Sequence, residues 1–574
     1  MINLQQINIR ILESELLEIQ DLSLVIGGNE ILKKISLSLP KGKILGIVGE
    51  SGSGKSITSL AVMGLLPKTS KISGESKILF NNGNKTADLL KLKAEEIRNF
   101  RGNEISMIFQ EPMTSLNPSL KCGEQVEESI RLHLKFDQSK SKKRVIELFE
   151  KVMLPTPERI YNSYPHQLSG GQRQRVMIAM AVSCNPKILI ADEPTTALDV
   201  TVQRAILDLI RELQQESDMS CLFISHDLGV IAEVCDEVAV MYKGEIVEHG
   251  SVNEIFNHPK ESYTKGLIAC RPRLEVRYKE LPTISDFIKN DDYKAEIYSS
   301  EERKDFQSRI YSQPPILEVR NLSKYFYTKP SIFGKEQISV KAVDDMNFKV
   351  YPGETLGLVG ESGSGKTTLS RTVLLLEKPT AGEIFYRGKD IVSLSKSEVR
   401  KLRKEIQIIF QDPYSSLNPR MTVGEILTAP MKVHSIGKNK NERIERAAGL
   451  LEKVGLKRSD LKKYPHEFSG GQRQRIGIAR ALALEPKFII CDESVSALDV
   501  SVQAQVLNLL NGLKEEFGLT YIFISHDLAV VKYMSDQLLV MQHGRQMELA
   551  DADEVYSNPK TNYTKELIDA IPKL

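Results

Sequence analysis

The stretch Gly49-Glu50-Ser51-Gly52-Ser53-Gly54-Lys55-Ser56 decides how this chain folds, and it recurs as Gly360-Glu361-Ser362-Gly363-Ser364-Gly365-Lys366-Thr367. Both octets fit the pattern G-x-x-x-x-G-K-[ST], a glycine-rich loop that holds nucleotide phosphates with backbone amides. Each octet follows a short apolar run and precedes a helix-like segment, which is the strand–loop–helix context that such a loop requires. The sequence therefore predicts two phosphate-binding loops in one chain.

Three other segments also occur twice. LSGGQRQR at 168–175 returns as FSGGQRQR at 468–475, ILIADEP at 188–194 as FIICDES at 488–494, and FISHDL at 223–228 is repeated at 523–528. These pairs are offset by 300 residues and the phosphate loops by 311, so the first copy holds about ten additional residues. We place them around the polar loop at 81–86. A period this long indicates two whole domains rather than a solenoid of small repeats.

The chain length agrees with this division. At 574 residues the chain is too long to fold around a single hydrophobic core, and its length fits two domains of about 250 residues each. We predict a first domain over 14–270, a linker over 271–314 and a second domain over 315–574. The linker mixes both charge signs with few apolar residues, so we expect a partly helical surface segment that buries no core. Strand-like runs alternate with helical patterns in each half, which predicts an α/β fold with a largely parallel sheet.

Composition excludes few classes of protein. Basic and acidic residues number 77 and 75, a balance that gives no support to a nucleic-acid partner. No apolar run reaches the length of a membrane-spanning helix, and the first residues lack the pattern of a secretory signal. The six cysteines form no C-x-x-C pair, which argues against a zinc site or a disulfide framework. We expect a cytosolic protein.

The phosphate loops carry specific chemistry. Their glycines allow the backbone amides to turn toward the phosphates, and the start of the following helix adds partial positive charge. The lysines are expected to reach the β- and γ-phosphates, while the hydroxyls of Ser56 and Thr367 are expected to bind Mg²⁺. The predicted phosphate contacts are Gly49, Ser51, Gly52, Gly54, Lys55, Gly360, Ser362, Gly363, Gly365 and Lys366.

Two neighbouring carboxylates end a buried strand in each copy. Asp192 and Asp492 follow four apolar residues, where a carboxylate at the strand tip can hold Mg²⁺ directly or through water. The next residues, Glu193 and Glu493, are positioned to orient or deprotonate an attacking water, a role worth about 10²–10⁴ in rate. A strand that ends in two solvated acids is the alternative interpretation, but the accompanying motifs disfavour it.

A histidine and a glutamine complete each set. His226 and His526 follow apolar strands, and although a lone histidine there is more often structural, beside these motifs it is interpreted as a sensor of the γ-phosphate. Gln110 and Gln411 end other strands and are predicted to contact Mg²⁺ or the attacking water. An isolated glutamine would carry no such meaning.

With these residues together, the chain resembles a tandem ATP-binding-cassette ATPase of the transporter type over nearly everything except the linker. The resemblance implies two P-loop NTPase domains, each with a mostly parallel sheet core, an antiparallel β subdomain and a helical subdomain. In that family two cassettes pair head to tail, so that the signature of one caps the nucleotide of the other. Carried over, ATP at Lys55 is capped by Ser469, Gly471 and Gln472, and ATP at Lys366 by Ser169, Gly171 and Gln172.

The same resemblance bears on the other parts of the two sites. The family's D-loop is similar to Ala197-Leu198-Asp199 and Ala497-Leu498-Asp499. Both copies keep the lysine, aspartate, glutamate, histidine and signature, so we predict two hydrolytically competent sites. The family's adenine-stacking aromatic corresponds to Phe326 (or Tyr325) in the second copy and to Ile26 (or Val25) in the first. We therefore expect weaker ATP binding at the first site.

Two further patterns resemble the subfamily that imports oligopeptides, dipeptides or nickel. They are QEPMTSLNP at 110–118 with QDPYSSLNP at 411–419, and HPKESYTKGLI at 258–268 with NPKTNYTKELI at 558–568. Ser262 and Asn562 replace the usual proline before the tyrosine, and Cys270 alone stands where many relatives have four cluster-binding cysteines. The resemblance implies an ATP- and Mg²⁺-dependent import motor with two permease subunits and a solute-binding protein, peripheral to the cytoplasmic face of the inner membrane.

Other classes of tandem cassette remain as alternatives. Ribosome-binding translation factors share the domain count, but they generally have a long, charged helical linker and lack the SLNP and YTK segments. Cassette ATPases of DNA repair usually contain zinc modules or coiled coils, neither of which the sequence indicates. Import is implied by the subfamily resemblance alone, so export stays open at this stage, and the cargo is undetermined.

Overall fold

The structure is a computed structural model that describes residues 15–83, 85–110, 115–196, 198–327, 338–496 and 498–572. Each half has a sheet of mainly parallel strands, with the order β11-β10-β3-β9-β8-β7 in the first half and β21-β20-β14-β19-β18-β17 in the second. Helices line these sheets, and the central strands are buried throughout because they are apolar. The predicted α/β class with two similar domains is confirmed.

A second, antiparallel sheet lies next to each central sheet. Its strand order is β2-β1-β5-β6 in the first half, with β4 paired to β1, and β13-β12-β15-β16 in the second. The strands of the first half are β1 (Glu15–Ile26), β2 (Asn29–Pro40), β3 (Ile44–Val48), β4 (Ser70–Ile72), β5 (Lys77–Asn81), β6 (Thr86–Asp88), β7 (Ile105–Ile108), β8 (Ile188–Asp192), β9 (Ser220–Ile224), β10 (Glu237–Tyr242) and β11 (Glu245–Ser251). Those of the second are β12 (Leu317–Tyr327), β13 (Ile338–Val350), β14 (Thr355–Val359), β15 (Ala381–Tyr386), β16 (Lys389–Asp390), β17 (Ile406–Ile409), β18 (Phe488–Asp492), β19 (Thr520–Ile524), β20 (Gln537–Gln542) and β21 (Arg545–Asp551).

Each phosphate loop leads directly into a helix, and a group of helices follows the β7 or β17 strand. In the first half the helices are α1 (Lys55–Val62), α2 (Ala94–Phe100), α3 (Cys122–His133), α4 (Gln138–Lys151), α5 (Pro157–Tyr161), α6 (Gly170–Val182), α7 (Val200–Ser217), α8 (Leu228–Val234), α9 (Val252–Asn257) and α10 (Ser262–Ala269). The linker contains α11 (Ile284–Lys289) and α12 (Ser300–Tyr311). The second half has α13 (Lys366–Val373), α14 (Lys396–Glu405), α15 (Pro413–Ser416), α16 (Val423–Val433), α17 (Lys440–Lys453), α18 (Gly470–Leu482), α19 (Val500–Phe517), α20 (Leu528–Met534), α21 (Ala552–Ser557) and α22 (Asn562–Asp569).

The additional residues of the first copy are divided between two places. Leu79 and Phe385 occupy equivalent positions because their strands pair in the same register with β1 and β12, and they are offset by 306. Since the phosphate loops are offset by 311, five additional residues precede β5, where the first half forms β4. The β5–β6 turn accounts for four more, because Asp88 and Asp390 are offset by 302. The prediction that the additional residues lie around 81–86 therefore holds for four of them and is wrong for the five that precede β5.

The linker contains two helices, but the expectation that it lies on the surface and buries no core is wrong. Leu281, Ile284 and Ile310 are buried. The Leu281 backbone amide donates to Asn508 Oδ1 at 2.8 Å, and Asn508 Nδ2 donates to the Leu281 carbonyl at 2.8 Å. Arg303 pairs with Asp551 at 3.0 Å. The linker also contacts the first half, because Ile284 packs against Gly266 of helix α10 and Ser262 Oγ donates to Asp291 Oδ1 at 2.8 Å. It therefore packs against both halves.

Candidate active sites

The two phosphate loops have matching geometry. Lys55 Nζ donates to the carbonyls of Gly49 at 2.8 Å and Glu50 at 2.9 Å, and Lys366 Nζ donates to those of Gly360 at 2.6 Å and Glu361 at 2.9 Å. Both lysines are buried, and burial lowers their pKa although nearby carboxylates oppose it. The ammonium groups are thus held inside the curve of each loop, where phosphate oxygens can replace the carbonyls as partners.

Glycine is required at the start of each loop. Gly49 and Gly360 have φ of 151° and 148°, and a Cβ at either position would lie 2.1 Å from the carbonyl oxygen of Met241 or Met541. No larger residue fits this approach between the loop and the neighbouring strand. The glycine pattern of the sequence therefore has a direct steric cause.

The hydroxyl and aspartate predicted to bind Mg²⁺ lie together in both halves. Ser56 Oγ donates to Asp192 Oδ1 at 3.0 Å, and Thr367 Oγ1 donates to Asp492 Oδ1 at 3.5 Å. Burial raises the pKa of each aspartate to about 6. The protein does not fully offset the cost of a negative charge on these buried aspartates. A hard cation such as Mg²⁺, which prefers oxygen ligands, would offset it and favour the ionised carboxylates.

The predicted base follows the aspartate in a left-handed backbone conformation. Glu193 has φ of 49° and Glu493 φ of 47°, conformations that are uncommon for non-glycine residues and that recur at functional sites. Their amides donate to the carbonyls of Ile224 and Ile524, both at 2.9 Å. The chain turn at the strand end thereby directs each glutamate away from its strand.

The predicted glutamine and histidine both meet this glutamate. Gln110 Nε2 donates to Glu193 Oε2 at 2.9 Å, and His226 Nδ1 lies 3.2 Å from the same oxygen. In the second half, Gln411 Nε2 donates to Glu493 Oε2 at 2.6 Å, and His526 Nδ1 lies 3.7 Å from it. Three residues predicted from separate motifs are therefore brought together in each half.

The glutamates differ in one further donor. Thr196 Oγ1 donates to Glu193 Oε2 at 2.9 Å, whereas Ser496 Oγ donates to the backbone carbonyl of Glu493 at 2.9 Å. Burial opposes ionisation of Glu193, but hydrogen bonds from His226 and Thr196 offset it and lower its pKa to about 2. The pKa of Glu493 is also lowered, by His526 and Lys366 against burial. Both glutamates are therefore carboxylates at neutral pH.

The signature serines begin helices α6 and α18. The backbone amide of Gln172 donates to Ser169 Oγ at 3.3 Å, and the backbone amide of Ser169 donates to Gln172 Oε1 at 3.1 Å. Gln472 and Ser469 form the same two hydrogen bonds at the same distances. Both serines are exposed. A Cβ at Gly171 would lie 2.8 Å from the Val202 side chain, and one at Gly471 would lie 2.3 Å from that of Val502. These glycines are thus needed for packing against the helix that follows each D-loop.

The halves contact each other at the phosphate loops. The Ser51 amide donates to Asp499 Oδ2 at 3.1 Å, and Ser501 Oγ donates to Glu50 Oε1. In the other direction, Thr201 Oγ1 donates to Glu361 Oε1 at 2.8 Å. The predicted D-loop aspartates thus lie at or beside the opposite loop, while Ala197 and Ala497 fall outside the described residues. Neither Ser501 nor Thr201 was predicted.

Sequence reasoning also missed a tyrosine that supports each loop. The amides of Glu50 and Glu361 donate to the hydroxyls of Tyr263 and Tyr563 at 3.1 and 3.0 Å. These tyrosines belong to the repeated YTK segments, which the sequence analysis used only to indicate a subfamily. Their repetition 300 residues apart was a signal that could have identified them.

Phe326 lies at the end of β12, 39% exposed, with Lys324 Nζ 5.0 Å from its ring centre. Its strand partner is Val340, two residues from Ala342, whose carbonyl would lie 2.0 Å from a Cβ at Gly365. This end of the hairpin therefore adjoins the second phosphate loop. In the first half, Ile26 ends β1 and pairs with Asn29 across a turn at Gly27 and Gly28.

Comparison with known proteins agrees with this geometry. The family described as "ABC transporter" matches residues 32–196 and 343–496, and the family "Oligopeptide/dipeptide transporter, C-terminal region" matches 247–290 and 547–574. The chain belongs to the ABC transporter family. It contains two of the family's ATP-binding domains, each followed by the C-terminal region of the oligopeptide/dipeptide type, which includes Tyr263 or Tyr563.

Individual relatives cover nearly the whole chain. Proteins named "Glutathione import ATP-binding protein GsiA" from Salmonella choleraesuis (strain SC-B67) and Salmonella typhi are each 47% identical over 95% of this chain and 86% of their own length. The protein of that name from Escherichia coli O6:H1 is 47% identical over 94% of this chain and 86% of its own length. This ABC protein is thus an ATPase subunit of a transporter, and the translation-factor alternative is not supported.

Proposed function

We propose that this ABC protein is the ATP-hydrolysing motor of an import complex for glutathione or a related short peptide. The carrying observation is similarity along 95% of the chain to proteins named for glutathione import, with the full set of predicted catalytic residues gathered in both halves. Glutathione is itself a short peptide, so this cargo agrees with the oligopeptide/dipeptide match of the C-terminal regions.

In the proposed mechanism each ATP lies between the halves. The loop lysine and amides of one half hold its phosphates, and the signature serine of the other half, Ser469 or Ser169, caps it. Contacts between Ser51 and Asp499 and between Thr201 and Glu361 support this arrangement, because they already join each phosphate loop to the opposite half. ATP can favour the closed pair only to the extent that it binds that pair more tightly than the open one.

The residues around the loop provide the chemistry of hydrolysis. Ser56, Asp192 and Gln110 would hold Mg²⁺ in the first site, and Thr367, Asp492 and Gln411 in the second. The ion would neutralise charge on the phosphates. Glu193 and Glu493, ionised at neutral pH, orient the attacking water and accept its proton. His226 and His526 turn Nδ1 toward the glutamate, so each would donate to the γ-phosphate through Nε2.

Transport itself requires membrane partners. Among the residues that the structure describes, no helix combines the length and apolar character needed to cross a bilayer. Exposed apolar side chains lie at equivalent positions of the helical regions, Leu132 at 68% and Val433 at 55% exposure, and they are suited to contact two permease subunits. We propose attachment to the cytoplasmic face of the inner membrane, with a solute-binding protein delivering the cargo.

Uptake of radiolabelled glutathione by cells lacking this gene tests the proposal. We expect uptake to fall and to return with the intact gene, but not with the Lys55→Ala, Lys366→Ala double variant, which cannot hold phosphates. A labelled dipeptide serves as the second probe. Unchanged glutathione uptake together with lost dipeptide uptake would contradict the glutathione assignment, and unchanged uptake of both would contradict peptide import.

A further inference from the structure

The two halves differ at a pair of neighbouring positions beside the catalytic histidine. Residue 271, the first of the linker, is arginine, and its equivalent 300 residues later is Ile571. Residue 229, at the start of helix α8, is glycine, and its equivalent is Ala529. Arg271 and Ile571 both line the cavity between the halves that His226 and His526 also line. The difference therefore lies at the catalytic interface.

Arg271 and Gly229 fit together sterically. Arg271 is buried, and a Cβ at position 229 would lie 2.1 Å from its Nη1 and 3.0 Å from its Cζ. Alanine at this position would therefore force the guanidinium group to move from its place beside Asp227. Gly229 thus occurs together with Arg271 in the first half, and Ala529 together with Ile571 in the second.

The guanidinium is paired with the residue that follows His226. Arg271 Nη1 lies 3.2 Å from Asp227 Oδ1, and the same oxygen accepts the amides of Gly229 at 2.9 Å and Val230 at 3.4 Å. Arg271 thus places its positive charge beside the capping carboxylate that begins helix α8, as an ion pair that lacks hydrogen-bond geometry. Against burial, Arg271 and His226 hold the pKa of Asp227 below its usual value, so the pair is ionic at neutral pH.

The second half has the cap without the ion pair. Asp527 Oδ1 accepts the amides of Ala529 at 2.9 Å and Val530 at 3.2 Å. Over the described residues of the chain, no basic side chain forms an ion pair with Asp527, and Ile571 is an apolar residue. The histidine is also less closely held, since the distance from Nδ1 to the glutamate is 3.7 Å for His526 and 3.2 Å for His226.

We propose that Arg271 is a positioning residue for hydrolysis at the first site. By pairing with Asp227 it fixes the backbone next to His226 and keeps the imidazole against Glu193. The proposal rests on the role of His226 and Glu193 in the proposed function, and it adds that the first site depends on an arginine for which the second site has no counterpart.

The test transfers the second half's pair into the first. In a Glu493→Gln background, where the first site keeps its glutamate, we compare single-turnover cleavage of ATP with and without Gly229→Ala, Arg271→Ile. We expect the cleavage rate to fall roughly tenfold, as for a displaced catalytic group, while the ATP concentration at half-saturation changes less than about twofold. Arg271→Lys, which keeps the charge, should recover part of the rate.

The same substitutions in a Glu193→Gln background provide the matched control, because only the second site then keeps its glutamate. The rate there should be unchanged. Gly229→Ala alone should reduce the first-site rate as much as Arg271→Ile alone, and the two together should not add, because both remove one contact. Equal loss in both backgrounds, or no loss at the first site, would overturn the positioning role.

One comparison separates this inference from the proposed function. If the Glu193→Gln, Glu493→Gln double variant still hydrolyses ATP, the glutamate and histidine roles themselves fail. If that variant is inactive while Arg271→Ile in the Glu493→Gln background cleaves at the rate of Glu493→Gln alone, only the positioning role fails. Thermal unfolding of each variant, with a midpoint close to that of the unsubstituted protein, establishes that a lost rate does not reflect a lost fold.

Discussion

The two candidate sites have the same fold and the same motifs, but they differ in the side chains around the catalytic glutamate and histidine and in the residue near the end of the first hairpin. The first site gives Glu193 an additional donor, Thr196, and places an arginine behind its histidine. The second site has neither, but it carries an exposed aromatic side chain, Phe326, where the first has Ile26. We therefore expect the first site to favour cleavage and the second to bind the adenine of ATP more tightly.

The largest expected effect tests what the sites share. Replacing both glutamates, Glu193→Gln with Glu493→Gln, should reduce hydrolysis by about 10²–10⁴ because each water loses its base. ATP should still bind and remain trapped between the halves. Phosphate release and retention of labelled ATP measure the two effects. Undiminished turnover would show that neither carboxylate acts as a base.

The next effect tests the difference at the nucleotide base. Phe326→Ile makes the second site resemble the first and should weaken its ATP binding by about tenfold, since stacking on an aromatic ring contributes about 1–3 kcal/mol. Ile26→Phe should strengthen binding at the first site. Titration with a fluorescent ATP analogue measures both. Tyr327→Ile is the control, because Tyr327 is adjacent and 47% exposed; an equal loss there would argue against a specific stack.

A smaller effect tests the difference in the groups that contact the catalytic glutamate. Thr196→Ala should slow cleavage at the first site by about three- to tenfold, because a hydrogen bond to an ionised group is lost. The change removes a group that lowers the pKa of Glu193, so that pKa should rise from about 2. Ser496→Ala should have little effect at the second site, because Ser496 donates to a backbone carbonyl. Single-turnover rates in the matching Glu→Gln backgrounds distinguish the two, and equal losses would remove this part of the comparison.

The smallest expected effect again concerns a shared property. Asp192 and Asp492 have pKa values of about 6, above the ordinary 3.8, so each is mostly protonated below about pH 6. Since burial raises the pKa, the ionised forms cost stability above pH 3.8, and protonation relieves this cost as the pH falls through 6. Mg²⁺ favours the carboxylates, so its binding with ATP at pH 5.5 should release protons. Calorimetry in buffers of different ionisation enthalpy measures this release, which Asp192→Asn should reduce.

The repeated motifs predicted the parts of each site, but not the contacts among them. Gln110, Glu193 and His226 come from three separate strand ends, and the sequence indicated a role for each without indicating that one glutamate oxygen meets both other side chains. The parallel order of β7, β8 and β9 brings these strand ends to one edge of the sheet. Thr196 was not predicted, because a threonine after a strand has no distinctive pattern.

The linker shows where reasoning from composition fails. Its mixed charges predicted an exposed segment, and its few apolar residues were too sparse to indicate a core. Leu281 and Ile284 are nevertheless buried because they pack against surfaces that other parts of the chain provide. Arg277 likewise donates to the carbonyls of Lys532 and Ser535 at 2.8 and 2.9 Å. A segment's own composition does not reveal a partner that lies about 250 residues away.

By itself the sequence predicted the two-domain α/β architecture, the two phosphate loops and the pair of carboxylates at one strand end in each half. These features depend on local backbone geometry and on short, repeated patterns. Only the tertiary structure decided which side chains meet. It placed Tyr263 and Tyr563 under the loops, Asp499 beside Ser51, and Arg271 over Gly229. Such contacts join residues that are far apart along the chain, and packing alone brings them within hydrogen-bonding distance.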